Sequence, residues 1–203
     1  MNSIRVGVNF DGIKISQYQN RKKSNNPPDK YIEDSFEILA KNGINCVRIP
    51  FYWESYGKNP NGFMNELDRI SKEADTQNIM CIYDDHQWEC SSYLGWGIGF
   101  PNSLMYSLFQ TENPVGSSLE HPKKSNLEKF WNQWWDQQVV DPEENDGWDL
   151  QKEFLKKIII RLGDRNSTLG FEILNEPQVL RGSDYKKISE YNDFMIKALD
   201  EYT

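Results

Sequence analysis

The sequence is short of what several function classes require. Its 203 residues include only 3 cysteines and 2 histidines. Cys46 and Cys81 lie in strand-like apolar runs and Cys90 in a loop, an odd set without metal-type spacing, so reduced thiols are expected and a disulfide framework is not. His86 has no second spaced His or Cys pair, and His121 lies in a polar Pro-Lys loop; no metal site is expected. Positive charge is scarce as well. The formal net charge is -8, and the short runs Arg21-Lys22-Lys23 and Lys156-Lys157 read as solvated faces, which argues against nucleic acid as a partner. No window approaches about 18 uninterrupted apolar residues, so neither a membrane span nor a membrane partner is expected. Met1 leads directly into a strand-like segment with no apolar leader, so no signal peptide is visible. Localisation stays open, an extracellular protein being compatible with an incomplete N-terminus. Internal repeats and low-complexity linkers are absent too, and the chain reads as one domain over residues 1–203.

What is present is an alternation of strands and helices. Arg5 to Phe10 is strand-like, and Tyr31, Ile32, Ser35, Phe36, Leu39 and Ala40 then repeat at helical spacing up to a stop at Asn42-Gly43. Ile44 to Ile49 reads as a second strand closed by Pro50, followed by a helix from about Met64 to Asn78 and a third strand at Ile79 to Tyr83. A long insertion at about 87–147 follows, with Trp131, Trp134 and Trp135 at helical spacing. A helix at about Leu150 to Leu162, a strand at Leu169 to Leu174 and a helix at Ser183 to Leu199 complete the pattern. Four βα units with near-continuous apolar strands predict a parallel α/β sheet covered by helices.

Polar residues decide between a doubly wound sheet and a (βα)8 barrel. Asn9 and Asp11, Arg48 with Tyr52 and Trp53, Asp84 with Asp85, His86 and Trp88, and Asn175 with Glu176 fall at or just after successive strand ends. That rim is where barrel enzymes keep their chemistry. A dinucleotide binder would instead need a glycine-rich turn after its first strand, which Asn9-Phe10-Asp11-Gly12 does not supply. A complete barrel takes about 250 residues, and four units exhaust this chain, so the first half of a TIM-type barrel is expected.

These residues resemble glycoside hydrolase family 5, the cellulase-like retaining β-glycosidases. The likeness rests on Gly7-Val8-Asn9, Gly43-Ile44-Asn45-Cys46-Val47-Arg48-Ile49-Pro50, Tyr83-Asp84-Asp85-His86 and Leu174-Asn175-Glu176-Pro177, in order and at successive strand ends. The resemblance implies that Glu176 is the acid/base, that Asn175 binds the sugar 2-hydroxyl, that Arg48 supports the nucleophilic carboxylate and that His86 lines the catalytic subsite. It implies no cofactor, since two carboxyl groups about 5–5.5 Å apart suffice for double displacement on a β-linked glucan, mannan or related oligosaccharide. Glu176 would have to arrive protonated, which partial burial and a neighbouring carboxylate would favour. The family's nucleophile is a second Glu at the end of strand seven, and no such strand is expected here. Glu54, Asp84, Asp85 and Glu89 sit on the wrong strands to replace it.

Plainer readings stand beside these. Arg48 could close a buried ion pair. Trp53, Trp88 and Trp96 could stack on sugar rings or simply pack in core and loops. The whole chain could be a sugar-binding half-barrel without turnover, or a truncated remnant whose open strand edges self-associate.

Overall fold

The computed structural model describes residues 5–10 and 28–202 of the chain. Asp11, expected at the rim after the first strand, lies outside them. The four strands are β1 (Gly7–Asn9), β2 (Cys46–Phe51), β3 (Met80–Asp85) and β4 (Thr168–Glu172), all parallel and in the order β1-β2-β3-β4. The described helices are α1 (Pro28–Lys41), α2 (Trp53–Lys58), α3 (Pro60–Gln77), α4 (Asn102–Phe109), α5 (Lys124–Trp135), α6 (Gly147–Leu162) and α7 (Asp184–Leu199). This is the first part of a TIM-type barrel.

Strand periodicity sorts side chains onto two faces. Val47, Ile49 and Phe51 of β2 and Cys81 and Tyr83 of β3 are fully buried on the outer face, under the helices. Phe51 meets Phe63 of α3 and Phe154 of α6 edge-on, with ring centroids 6.1 and 5.8 Å away. α3 presents Phe63, Leu67, Ile70 and Ala74 to this layer, and α6 presents Phe154, Leu155, Ile158 and Leu162. Local chemistry sets where these helices begin and end. The Asn59 side chain accepts the Gly62 N–H with Pro60 in the first turn, Asn78 closes α3 in a left-handed conformation, and Asp146 caps α6 by accepting from Trp148 and Asp149.

Three local expectations change. β2 does not close at Pro50 but runs on to Phe51. The Arg48 carbonyl accepts from Phe10 N on the β1 side at 2.8 Å, and two residues on, the N–H that proline lacks would face that same side. There the described ladder with β1 has already ended, so Pro50 leaves no partner unsatisfied. Second, α3 starts four residues before Met64, and the short α2 was not foreseen. Third, β3 continues through Asp84 and Asp85, which places these two carboxylates on opposite faces.

Between β3 and α6 the chain carries α4 and α5. Trp131, Trp134 and Trp135 of α5 are fully buried, in keeping with their helical spacing, and Trp131 stacks on Trp135 at 5.6 Å. Among the described residues no helix is long and apolar enough to cross a membrane.

Candidate active site at the strand ends

Arg48 organises the inner face. It projects from β2, and its Nε and Nη2 fork onto the Glu172 carboxylate of β4 at 3.0 and 2.6 Å. Nη2 also lies 2.9 Å from Asp84 Oδ2 and donates to Asn175 Oδ1 at 2.9 Å. The planar fork donates to Glu172 and Asn175, and Asp84 is held beside it as an ion pair. The Glu172 hydrogen bond is the main reason the Arg48 pKa is raised, with burial opposing it and Asp84, Glu172 and Glu176 adding attraction.

Asp84 passes the network on to His86. Its Oδ2 is 2.7 Å from His86 Nδ1, and burial raises the Asp84 pKa against the opposing pull of His86 and Arg48. His86 Nε2 stands 3.5 Å from Asn175 Nδ2, and the His86 ring meets Tyr52 edge-on. Asn175 is buried and held from three sides: Arg48 donates to its Oδ1, its Nδ2 donates to Gln87 O at 3.0 Å, and its backbone N–H donates to Asp85 O at 3.0 Å.

The next residue differs. Glu176 is exposed and adopts a left-handed backbone with φ 45°, a costly conformation for a non-glycine residue and more so before proline. Gln87 holds the turn, donating from Nε2 to the carbonyls of both Asn175 and Glu176 at 3.0 Å. The partial burial expected around Glu176 is absent among the described residues.

Other expected positions resolve one by one. Trp53 is buried and stacks on Phe154 at 5.6 Å and 9°, so it packs in the core and its ring is not offered to a ligand. Trp88 is half-buried, its ring perpendicular to that of Trp96 at 5.0 Å. Asp85, expected at the rim, points outward instead. It accepts from Gln151 Nε2 at 2.7 Å beneath Tyr191, and burial raises its pKa well above the ordinary range. Glu54 is buried on Ser92 and Lys58, and Glu89 pairs with His121. Among the described residues no cluster of three or more His, Cys, Asp or Glu could hold a metal ion.

Two members of the network escaped sequence reasoning. Glu172 was passed over as part of an apolar strand, although a lone carboxylate flanked by Phe171 and Ile173 signals a charge on the opposite face needing a cation. Gln87 carries no comparable signal.

The family model for cellulase (glycosyl hydrolase family 5) matches residues 5–201. The chain belongs to glycosyl hydrolase family 5. Among solved structures it resembles endo-glycoceramidase II from Rhodococcus sp., at 15% identity and a TM-score of 0.70 over 98% of this chain and 46% of that one. The GH5_18 protein from Streptomyces cattleya in complex with GlcNAc matches at 16% identity and a TM-score of 0.62, over 99% of this chain and 42% of that one. Pseudomonas stutzeri endoglucanase Cel5A follows at 17% identity and 0.52, over 96% and 48%. At such identities the likeness speaks for fold, and this family 5 chain spans about half the length of those proteins. No curated protein sequence matches it.

Proposed function

We propose that this chain supplies the acid/base side of the active centre of a retaining β-glycosidase acting on a β-linked glucan, mannan or related oligosaccharide. The observation that carries the reading is the convergence of Arg48, Asp84, His86, Asn175 and Glu172 in one hydrogen-bonded network beside Glu176 at the C-terminal strand ends. Barrel enzymes do their chemistry at this rim. Glu176 is the group that protonates the leaving oxygen and later activates water, and its solvent-facing position leaves the carboxyl free to meet substrate. Asn175 keeps its amide plane fixed through Arg48 and Gln87. The second Nδ2 hydrogen, engaged only with His86 Nε2 at 3.5 Å, is the donor to the sugar 2-hydroxyl.

Arg48 fixes carboxylates in position near the anomeric carbon; here it grips Glu172 and Asp84. The nucleophilic Glu comes from strands beyond these four, which would also bury Glu176. The likeness of the chain to about half of endo-glycoceramidase II and endoglucanase Cel5A supports such an extended barrel. Those proteins' names, and the GlcNAc complex of the GH5_18 protein, also favour a carbohydrate partner.

The test is hydrolysis of β-glucan and β-mannan by the chain extended through the residues that follow Thr203 in the native transcript. Release of the β-anomer first, and its loss in Glu176→Gln, is the expected result. Hydrolysis by the 203-residue chain alone that vanishes in Glu54→Gln or Glu89→Gln would overturn the assignment. Sugar affinity without turnover in the extended chain would instead favour a binding module.

A further inference from the structure

Trp96 is exposed by 54%, yet its surroundings hold it in one place. Its backbone N–H donates to Glu120 O at 2.6 Å, and its indole meets Trp88 at a right angle, 5.0 Å between centroids, and the His121 ring at 5.3 Å. The residues on either side are glycines with no room for a side chain. A Cβ on Gly95, which has φ 155°, would lie 2.7 Å from Glu120 O, and one on Gly97 would lie 2.6 Å from Glu89 O. Trp88 itself is pinned by paired backbone hydrogen bonds with Ile98 at 2.8 Å. Two glycines and a strand-like bridge thus position an indole that leaves more than half of its area open to solvent. Core packing does not account for that arrangement.

The neighbours point to a ligand. Glu89 lies 3.6 Å from His121 Nδ1, so a carboxylate and an imidazole border the aromatic corner. A flat apolar surface with polar groups at its margin matches a pyranose ring, which has C–H faces and a hydroxylated edge. The corner also follows directly on the site, since Trp88 comes two residues after His86.

We propose that Trp96, backed by Trp88 and His121, is a distal platform that stacks a pyranose unit of the same β-linked chain, beyond the ring held by Asn175 and Glu176. This rests on the glycosidase reading and adds to it a preference for longer oligosaccharides. Rigid placement lowers the ordering cost of binding, so the platform contributes affinity without rearrangement.

Titration calorimetry of the 203-residue chain with β-linked gluco- and manno-oligosaccharides, from the disaccharide upward, tests it. Affinity of the unsubstituted chain rises with length. Trp96→Ala removes that rise, weakening the longest member by about tenfold and the disaccharide by less than about twofold. Trp96→Tyr retains most of the gain. Gly97→Val, which shifts the loop but keeps the indole, behaves like Trp96→Ala, with the circular dichroism spectrum checking that the fold survives. Equal affinity of Trp96→Ala and the unsubstituted chain for long oligosaccharides overturns the platform, as does an equal loss at every length or no binding by the unsubstituted chain. The glycosidase reading is judged separately, by hydrolysis in the extended chain.

Discussion

The two faces of the sheet are built to opposite standards. On the outer face Val47, Ile49, Phe51, Cys81 and Tyr83 are fully buried under helices. On the inner face Arg48 and Ile82 are only partly buried, and an open groove runs along Gly7, Asn9, Cys46, Arg48 and Ile82. The outer face is held by dispersion and water exclusion among close-packed rings, the inner by charge-assisted hydrogen bonds around one guanidinium. Apolar packing maintains the outer face, while on the inner face the charged network fixes polar side chains, among them the buried Asp84 and Asn175.

The comparison can be broken first on the outer face. Phe51→Ala removes a ring packed on Phe63 and Phe154, and is expected to lower the unfolding free energy by about 3–5 kcal/mol in urea titration. On the inner face Arg48→Met leaves the buried Asp84 without its cation, and a loss of about 2 kcal/mol is expected, moderated by the solvent that reaches Arg48 and Glu172. Adding Asp84→Asn to Arg48→Met should recover part of that loss, which a double-mutant cycle would measure; no recovery would mean that Asp84 does not feel the guanidinium.

A third test uses pH. Burial raises the Asp85 and Asp84 pKa values above the ordinary 3.8, so in the ionisation range the folded state binds more protons than the unfolded chain. Their contribution is fully present below the ordinary Asp range and is lost as pH rises through the raised values. Unfolding free energies measured from pH 4 upward, the start being about the unfolded Asp value, should show this downward component, and Asp85→Asn should flatten it. Asp136, whose pKa is lowered by its hydrogen bond to Arg181, contributes in the opposite sense, so the comparison is with Asp85→Asn rather than with a flat line. The smallest effect on stability is expected for Glu176→Gln. This exposed side chain should change the unfolding free energy by no more than about 0.5 kcal/mol, whereas the proposed acid/base role predicts loss of hydrolysis for the same substitution.

Much of the scaffold was legible because the signals are local. Helical spacing located α1, α6, α7 and the buried tryptophans of α5, and runs of β-formers located all four strands to within a few residues. Arg48, His86 and Asn175 were legible because polar residues at the ends of apolar strands are hard to explain as packing, and the structure brings those three together. Asp85 was misread because alternation in a strand depends on where the strand ends, and β3 outlasts its apolar run by two carboxylates. Glu172 was missed for a related reason. A register shift between Cys81 and Ile82 skips Leu169, setting Phe171 beside Tyr83 on the outer face and Glu172 beside Asp84 on the inner one. The carboxylate between Phe171 and Ile173 signals a polar face, but which residues of β3 it meets is set by the register between the two strands.

By itself, then, the sequence determined the order of strands and helices, the parallel sheet and the set of polar residues delivered to the strand ends, because backbone propensity and hydrophobic period act over a few residues. The tertiary structure alone decided which carboxylates meet Arg48, that Trp53 packs inward while Trp96 stands exposed, and that Gln87 holds the Asn175-Glu176 turn. Those outcomes depend on strand register and on backbone contacts between residues as far apart as Gln87 and Glu176, distances over which local propensity carries no information.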